Sequence, residues 1–111
     1  MREAVHAYSV QLQTELAHAP PEVGLSSNPY DYVPYCPTLR RVVALGPLAP
    51  PAIAEEIETA RTDGLAAYLL AIAGAEIQAK GGQSMGPKTW ESANGWAQQY
   101  REWARQHPPD S

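Results

Sequence analysis

The sequence predicts an all-α fold, a compact single-domain bundle of about five helices. Three observations predict it. Apolar residues recur at intervals of three and four in several separate stretches, the spacing of one helical face. The 11 prolines are clumped between those stretches (Pro20-Pro21, Pro29, Pro34, Pro37, Pro47, Pro50-Pro51, Pro108-Pro109), where they punctuate helices rather than interrupt them. No segment alternates apolar and polar residues over five or more positions, so no sheet is expected.

The first helix spans residues 2–18, with Val5, Tyr8, Leu12 and Leu16 on one narrow face and Pro20-Pro21 as its stop. Residues 19–37 form a Tyr/Pro-rich loop. Ser26-Ser27-Asn28-Pro29 is turn chemistry, and Tyr30, Tyr32 and Tyr35 interleave with Pro34 and Pro37. Residues 38–79 carry three helices in quick succession. Thr38 serves as N-cap of a short one through Leu39, Val42 and Val43, which Gly46 ends in a left-handed turn. Pro50-Pro51 pre-sets the first turn of the next, with Ala52, Ile53, Ile57 and Ala60 inward and Glu55, Glu56 and Glu58 on the wet side. Asp63 caps the third, whose Leu65, Tyr68, Leu69, Ile72 and Ala73 make it the most buried helix; Gly74 is its expected end. Residues 80–87 form a flexible loop around Gly81-Gly82. The last helix, 88–107, starts near Thr89 and gathers Trp90, Trp96, Tyr100 and Trp103 within about 140° of arc.

Composition narrows the function classes. At 111 residues, 44% hydrophobic and 18% charged, the chain has the size and balance of one globular domain. A net charge of −4, with the basic residues scattered apart from Arg40-Arg41 and Arg101/Arg105, argues against a nucleic-acid backbone as ligand. One cysteine forms no internal disulfide, no apolar stretch nears the ~20 residues of a membrane span, and Met1–His6 lacks a signal-peptide run. A cytoplasmic protein is therefore expected, although a leader or lipid anchor removed before Met1 would leave the same sequence.

Residues 39–58 resemble a HEAT-type helical hairpin: a helix ending in Leu45-Gly46, a turn rich in Pro and small residues, then a helix with spaced aliphatics. The wider layout is similar to a set of small bacterial proteins with a HEAT-like core. Its pieces here are Asn28-Pro29-Tyr30, residues 39–58, residues 65–74 and the Trp-rich stretch 90–103. The resemblance covers about three quarters of the chain as pattern, and its relatives are mostly uncharacterised. It implies a HEAT-like antiparallel helix pair closed by N- and C-terminal capping helices, because the chain has fewer than two full repeat pairs.

No constellation forces a reaction. Cys36 precedes a helix whose N-terminus lowers a thiol pKa, but no histidine lies near it in sequence, and a buried structural thiol is the simpler reading. His6 and His18 are about 18 Å apart along a helix and cannot share an ion, so no metal and no cofactor are expected. Glu76 has two readings. A helix continuing through Gly74 aligns it with Leu69 and Ile72, whereas a break at Gly74, favoured by turn chemistry, leaves it exposed.

The aromatics carry the functional expectation, since Tyr and Trp dominate binding hot spots. With no Phe in the chain, the tryptophans are expected first as core. The candidate contact residues are Tyr30, Tyr32, Tyr35, Arg40, Arg41, Trp96 and Trp103. The expected function is a non-enzymatic protein-interaction domain, a HEAT-like adaptor or scaffold, with a protein partner and neither nucleic acid nor membrane as ligand. An inhibitor or immunity-type protein that blocks one target is the alternative, and a Cys36-dependent enzyme the second. The open ends of a truncated array predict homodimerisation through the first or the Trp-rich helix.

Overall fold

A computed structural model describes residues 1–20, 29–60, 65–81, 90 and 92–106. Among these residues there are five α-helices and no strand: α1 (Arg2–Ala17), α2 (Thr38–Ala44), α3 (Ala49–Ala60), α4 (Leu65–Lys80) and α5 (Ala93–Gln106). Two 3-10 segments, Pro29–Tyr35 and Gly46–Leu48, lead into α2 and α3.

Helix α4 is the centre of the bundle. It packs against α1, α2, α3, α5 and both 3-10 segments. Its sequence explains this: Ala67, Leu69, Leu70, Ala71, Ile72, Ala73 and Ile77 are buried on more than one side, so no face remains for solvent along most of its length. Around it, α1 contributes Val5 and Leu12, α2 contributes Leu39 and Val42, α3 contributes Ile53 and Ile57, and α5 contributes Trp96. Each such aliphatic burial is worth about 1.5–3 kcal/mol.

The turn between α2 and α3 follows the sequence expectation. Gly46 has φ +81°, a conformation that costs other residues a steric clash, and Leu45 packs against the core. Pro50 and Pro51 fall in the first turn of α3, where their missing N–H groups have no helical acceptor to lose. Helix α2 packs mainly on α4 and α1, and α3 mainly on α5, α4 and α1, rather than on one another.

Several expectations are corrected. The segment expected as a loop over 19–37 contains the 3-10 helix Pro29–Tyr35, linked to α2 through Cys36, whose N–H donates to Val33 O at 3.1 Å and whose carbonyl accepts from Leu39 N–H at 3.0 Å. Thr38 does not cap α2 but is its first residue. Its buried hydroxyl and its backbone N–H both donate to the Glu15 carboxylate of α1. A carboxylate supplied by a neighbouring helix thus takes the place of a local cap, satisfying an orphan donor and meeting the positive end of the helix dipole.

Gly74 does not end α4. The helix runs through it to Lys80, because the absent Cβ makes room for a neighbour: a β-carbon built there would lie 2.6 Å from Trp96 Cζ2 and 2.7 Å from Cη2. The indole of α5 lies against the bare backbone of α4. Glu76 is exposed even though the helix continues, paired at 3.5 Å with Lys80.

Helix α5 starts later than expected. Ser92 caps it, its hydroxyl accepting from Gly95 N–H at 3.0 Å. Trp90 falls outside the helix and is buried against Tyr68, ring centroids 5.2 Å apart. The expected N-cap Asp63, and all of the 80–87 loop beyond Gly81, lie outside the described residues.

Candidate functional site

Two concave regions flank α4. The first is a groove of about 550 Å³ between α2, α4 and the 3-10 helix before α2, lined by Val33, Leu39, Arg40, Val43, Ala44, Glu76 and Lys80. A shallower extension past Val43 and Lys80 reaches Gly46, Pro47 and Ile77. The heptamer Thr-Leu-Arg-Arg-Val-Val-Ala builds one wall. Leu39 and Val42 turn into the core, Val43 is half-buried at the groove, and Arg40 and Arg41 are exposed.

Charge in this groove runs against that of the chain. Arg40 and Arg41 form no ion pair with any described residue, while Lys80 and Glu76 pair loosely and cancel. A locally positive, apolar-floored groove therefore stands on a protein of net charge −4. Nearby in sequence, Tyr35 is 43% exposed at the end of its 3-10 helix and Leu48 is 73% exposed beside Pro47.

The predicted contact residues separate. Arg40 lines the groove, Arg41 stands on the same short helix, and Tyr35 is exposed. Tyr32 is half-buried and packs against the core. The Tyr30 side chain lies outside the described residues. Trp96, expected among the contact residues, does not reach the surface. It is fully buried, stacked on Tyr100 with centroids 5.5 Å apart, because the chain without Phe fills its centre with indole. Trp103 is half-buried against the core, 6.0 Å from Tyr100, and belongs to α5, which packs on α3 and α4.

The second region is a cleft of about 440 Å³ between α1, α3 and the start of α4. Its floor is apolar (Leu16, Ile57, Leu65, Ala66, Ala67, Leu70) and its rim polar (His6, Ser9, Gln13, Glu56). Glu56 corrects the expectation of a fully solvated acidic face. Its side chain is only 8% exposed, held by Arg2 Nη1 and by His6 Nδ1, the latter at 2.8 Å from Oε1. Glu55 and Glu58 do face solvent, Glu58 accepting from Arg101 and Glu55 lying 3.6 Å from Arg2. The clue in the sequence is a second stripe on α1: Arg2, His6, Ser9, Gln13 and Leu16, spaced four-three-four-three, share a face beside the apolar one.

Ser9, His6 and Glu56 are residue types of a hydrolytic triad, but the Ser9 hydroxyl makes no hydrogen bond to His6, so no nucleophile–base pair is assembled. Cys36 is 1% exposed, and its thiol pKa is pushed up by burial and then by the Glu15 carboxylate. That is the reverse of what an attacking thiolate requires. His18 donates from Nδ1 to the backbone carbonyl of Thr14, one turn back in α1, at 2.8 Å. Among the described residues no three His, Cys, Asp or Glu side chains gather at a metal site, and no helix is long and apolar enough to cross a membrane.

The fold and its two concavities define an all-α bundle with an open groove on each of two sides of a buried central helix. No family model matches the chain, and neither the curated proteins nor the solved structures contain a match.

Proposed function

We propose that this chain is a non-enzymatic protein-interaction domain, a small HEAT-like adaptor, that receives an acidic amphipathic segment of its partner in the groove between α2 and α4. The observation that carries the reading is the combination of an apolar floor (Val33, Leu39, Val43, Ala44) with Arg40 in the groove wall and Arg41 beside it on α2, exposed cations that no described carboxylate neutralises. An apolar helix face in a hydrophobic groove supplies affinity, and flanking charge supplies orientation and on-rate. Exposed Tyr35 and Leu48 extend the same side with the residue types that anchor interfaces. The non-enzymatic half is supported by the buried, poorly ionised Cys36 and by the unassembled Ser9 and His6.

The test is affinity capture from the native host, with the partner identified by mass spectrometry and the complex then rebuilt from purified components. The wild-type chain and the Arg40→Glu/Arg41→Glu variant are compared side by side. Both positions are exposed, so the variant keeps the fold. The expected result is a loss of affinity of at least about tenfold, mostly in association rate and steeper at low salt. A rebuilt complex that the double charge reversal leaves unchanged removes the groove from the interface.

A further inference from the structure

The cleft between α1, α3 and the start of α4 shares only α4 with the α2 groove and has a different chemistry. We infer that it is a binding site for a small amphipathic amine, an ammonium group carried on an apolar body. Three features lead there. The first is shape: about 440 Å³ floored by Leu16, Ile57, Leu65 and Leu70 falls in the range of small-molecule sites, roughly 300–1,000 Å³.

The second is charge. Beside the polar rim Arg2 faces two carboxylates, Glu55 and the buried Glu56. Glu56 binds Arg2 through Oε2 and the His6 ring through Oε1. A carboxylate offers about four acceptor positions, so half of its capacity is spare, and one further positive charge balances the pair of acids. The His6 side chain is 67% exposed, so it can turn to solvent as an ammonium takes its place at Oε1.

The third is a hydroxyl that lines the cleft without a protein partner. Ser9 is only 7% exposed, lines the cleft, and makes no hydrogen bond to any described residue. A bound ammonium supplies the donor that this oxygen lacks, so one head group answers both Glu56 and Ser9. An anion would meet the Glu56 carboxylate as a like charge, and a purely apolar ligand would answer neither group.

The probes are hexylammonium, 1-hexanol and hexanoate, which share one chain and differ in the head group. Each is titrated into the full ¹⁵N-labelled chain at pH 8 while amide shifts are followed. Hexylammonium is expected to give saturable shifts at Ser9 and at Leu65–Leu70, with affinity of the order of millimolar for so small a ligand. It should bind at least about tenfold more tightly than hexanol or hexanoate. Glu56→Gln should reduce the amine to the affinity of the alcohol, and Ala66→Leu, which narrows the half-buried floor, should weaken both. Equal binding of the three probes, shifts confined to other surfaces, or no saturable shift with hexylammonium each overturns the proposal. Should Glu56→Gln fail to fold, the three-probe comparison on the wild-type chain decides alone.

Discussion

Replacing Gly74 by Ala sets two effects of known sign against each other. Within a helix the change stabilises by about 0.5–1 kcal/mol, because Ala loses less backbone entropy on folding. In this helix the new methyl group meets the Trp96 ring at 2.6 and 2.7 Å, about 1 Å inside ordinary carbon contact. The indole cannot simply turn away. It is fully buried, stacked on Tyr100, and held between α4 and the rest of α5. Forcing such a shift in a packed core costs about 1–3 kcal/mol, so the clash exceeds the propensity gain. The expected outcome is a net loss of about 1–2 kcal/mol, and for a domain of this size about 4–8 °C in Tm per kcal/mol. Urea unfolding followed by tryptophan fluorescence measures it, with the midpoint falling at unchanged m-value. The double-mutant cycle with Trp96→Leu isolates the contact: in that background Gly74→Ala should turn neutral or stabilising. A Gly74→Ala protein as stable as the wild type would refute the close helix–helix approach.

Gln78 is buried on α4 with neither its amide nitrogen nor its oxygen hydrogen-bonded, so Gln78→Met should stabilise the fold by about 1–2 kcal/mol, read as a higher urea midpoint. Glu15→Ala removes the acceptor for both the Thr38 hydroxyl and its N–H; a loss of about 1–2 kcal/mol is expected, and an unchanged midpoint would show that α2 is capped some other way. Cys36 should react with iodoacetamide only after unfolding, and rapid native labelling at pH 8 would contradict its burial. Alkaline pH should also weaken the fold. Burial raises the Cys36 pKa above its ordinary 9.0, with Glu15 adding to the effect, and raises that of Tyr100 above 10.0 against the opposing Arg101. Both groups stay neutral more firmly when folded, so their contribution is whole below those ordinary values and is lost as pH rises through the folded ones. The urea midpoint should accordingly hold steady to about pH 8.5 and then fall, and Cys36→Ala should soften the first part of that fall.

The two concave sites have different consequences for the molecule. Arg40 and Arg41 can be reversed in charge without touching the core, so the α2 groove is tunable at little cost in stability. Glu56 holds Arg2 and His6 and thereby ties α1 to α3, so the cleft is part of what fastens the first helix to the bundle. Ligand in the cleft and stability of α1 should then rise together by mass action.

The sequence by itself determined the fold class and much of its punctuation. Helical periodicity marked five helices, the Leu45-Gly46-Pro47 turn marked a left-handed glycine, and the unrelieved apolar run after Leu65 marked the central helix. These features are local: they depend on spacing along one element and on backbone preferences that neighbours do not change. What a sequence cannot show is which polar residue meets which across the bundle. Gly74 reads as a stop until Trp96 is known to need the space; Thr38 reads as a cap until Glu15 arrives from α1. Glu56 reads as one more solvated acid until Arg2 and His6 close over it. The same holds for the sites. Arg40 was visible as a charged position, but its groove is made by Val33 and Lys80 from two other elements, and the cleft by residues from three. Tertiary packing decided those outcomes because a buried charge, an orphan hydrogen-bond donor and a missing Cβ acquire their meaning from the partner that lies opposite.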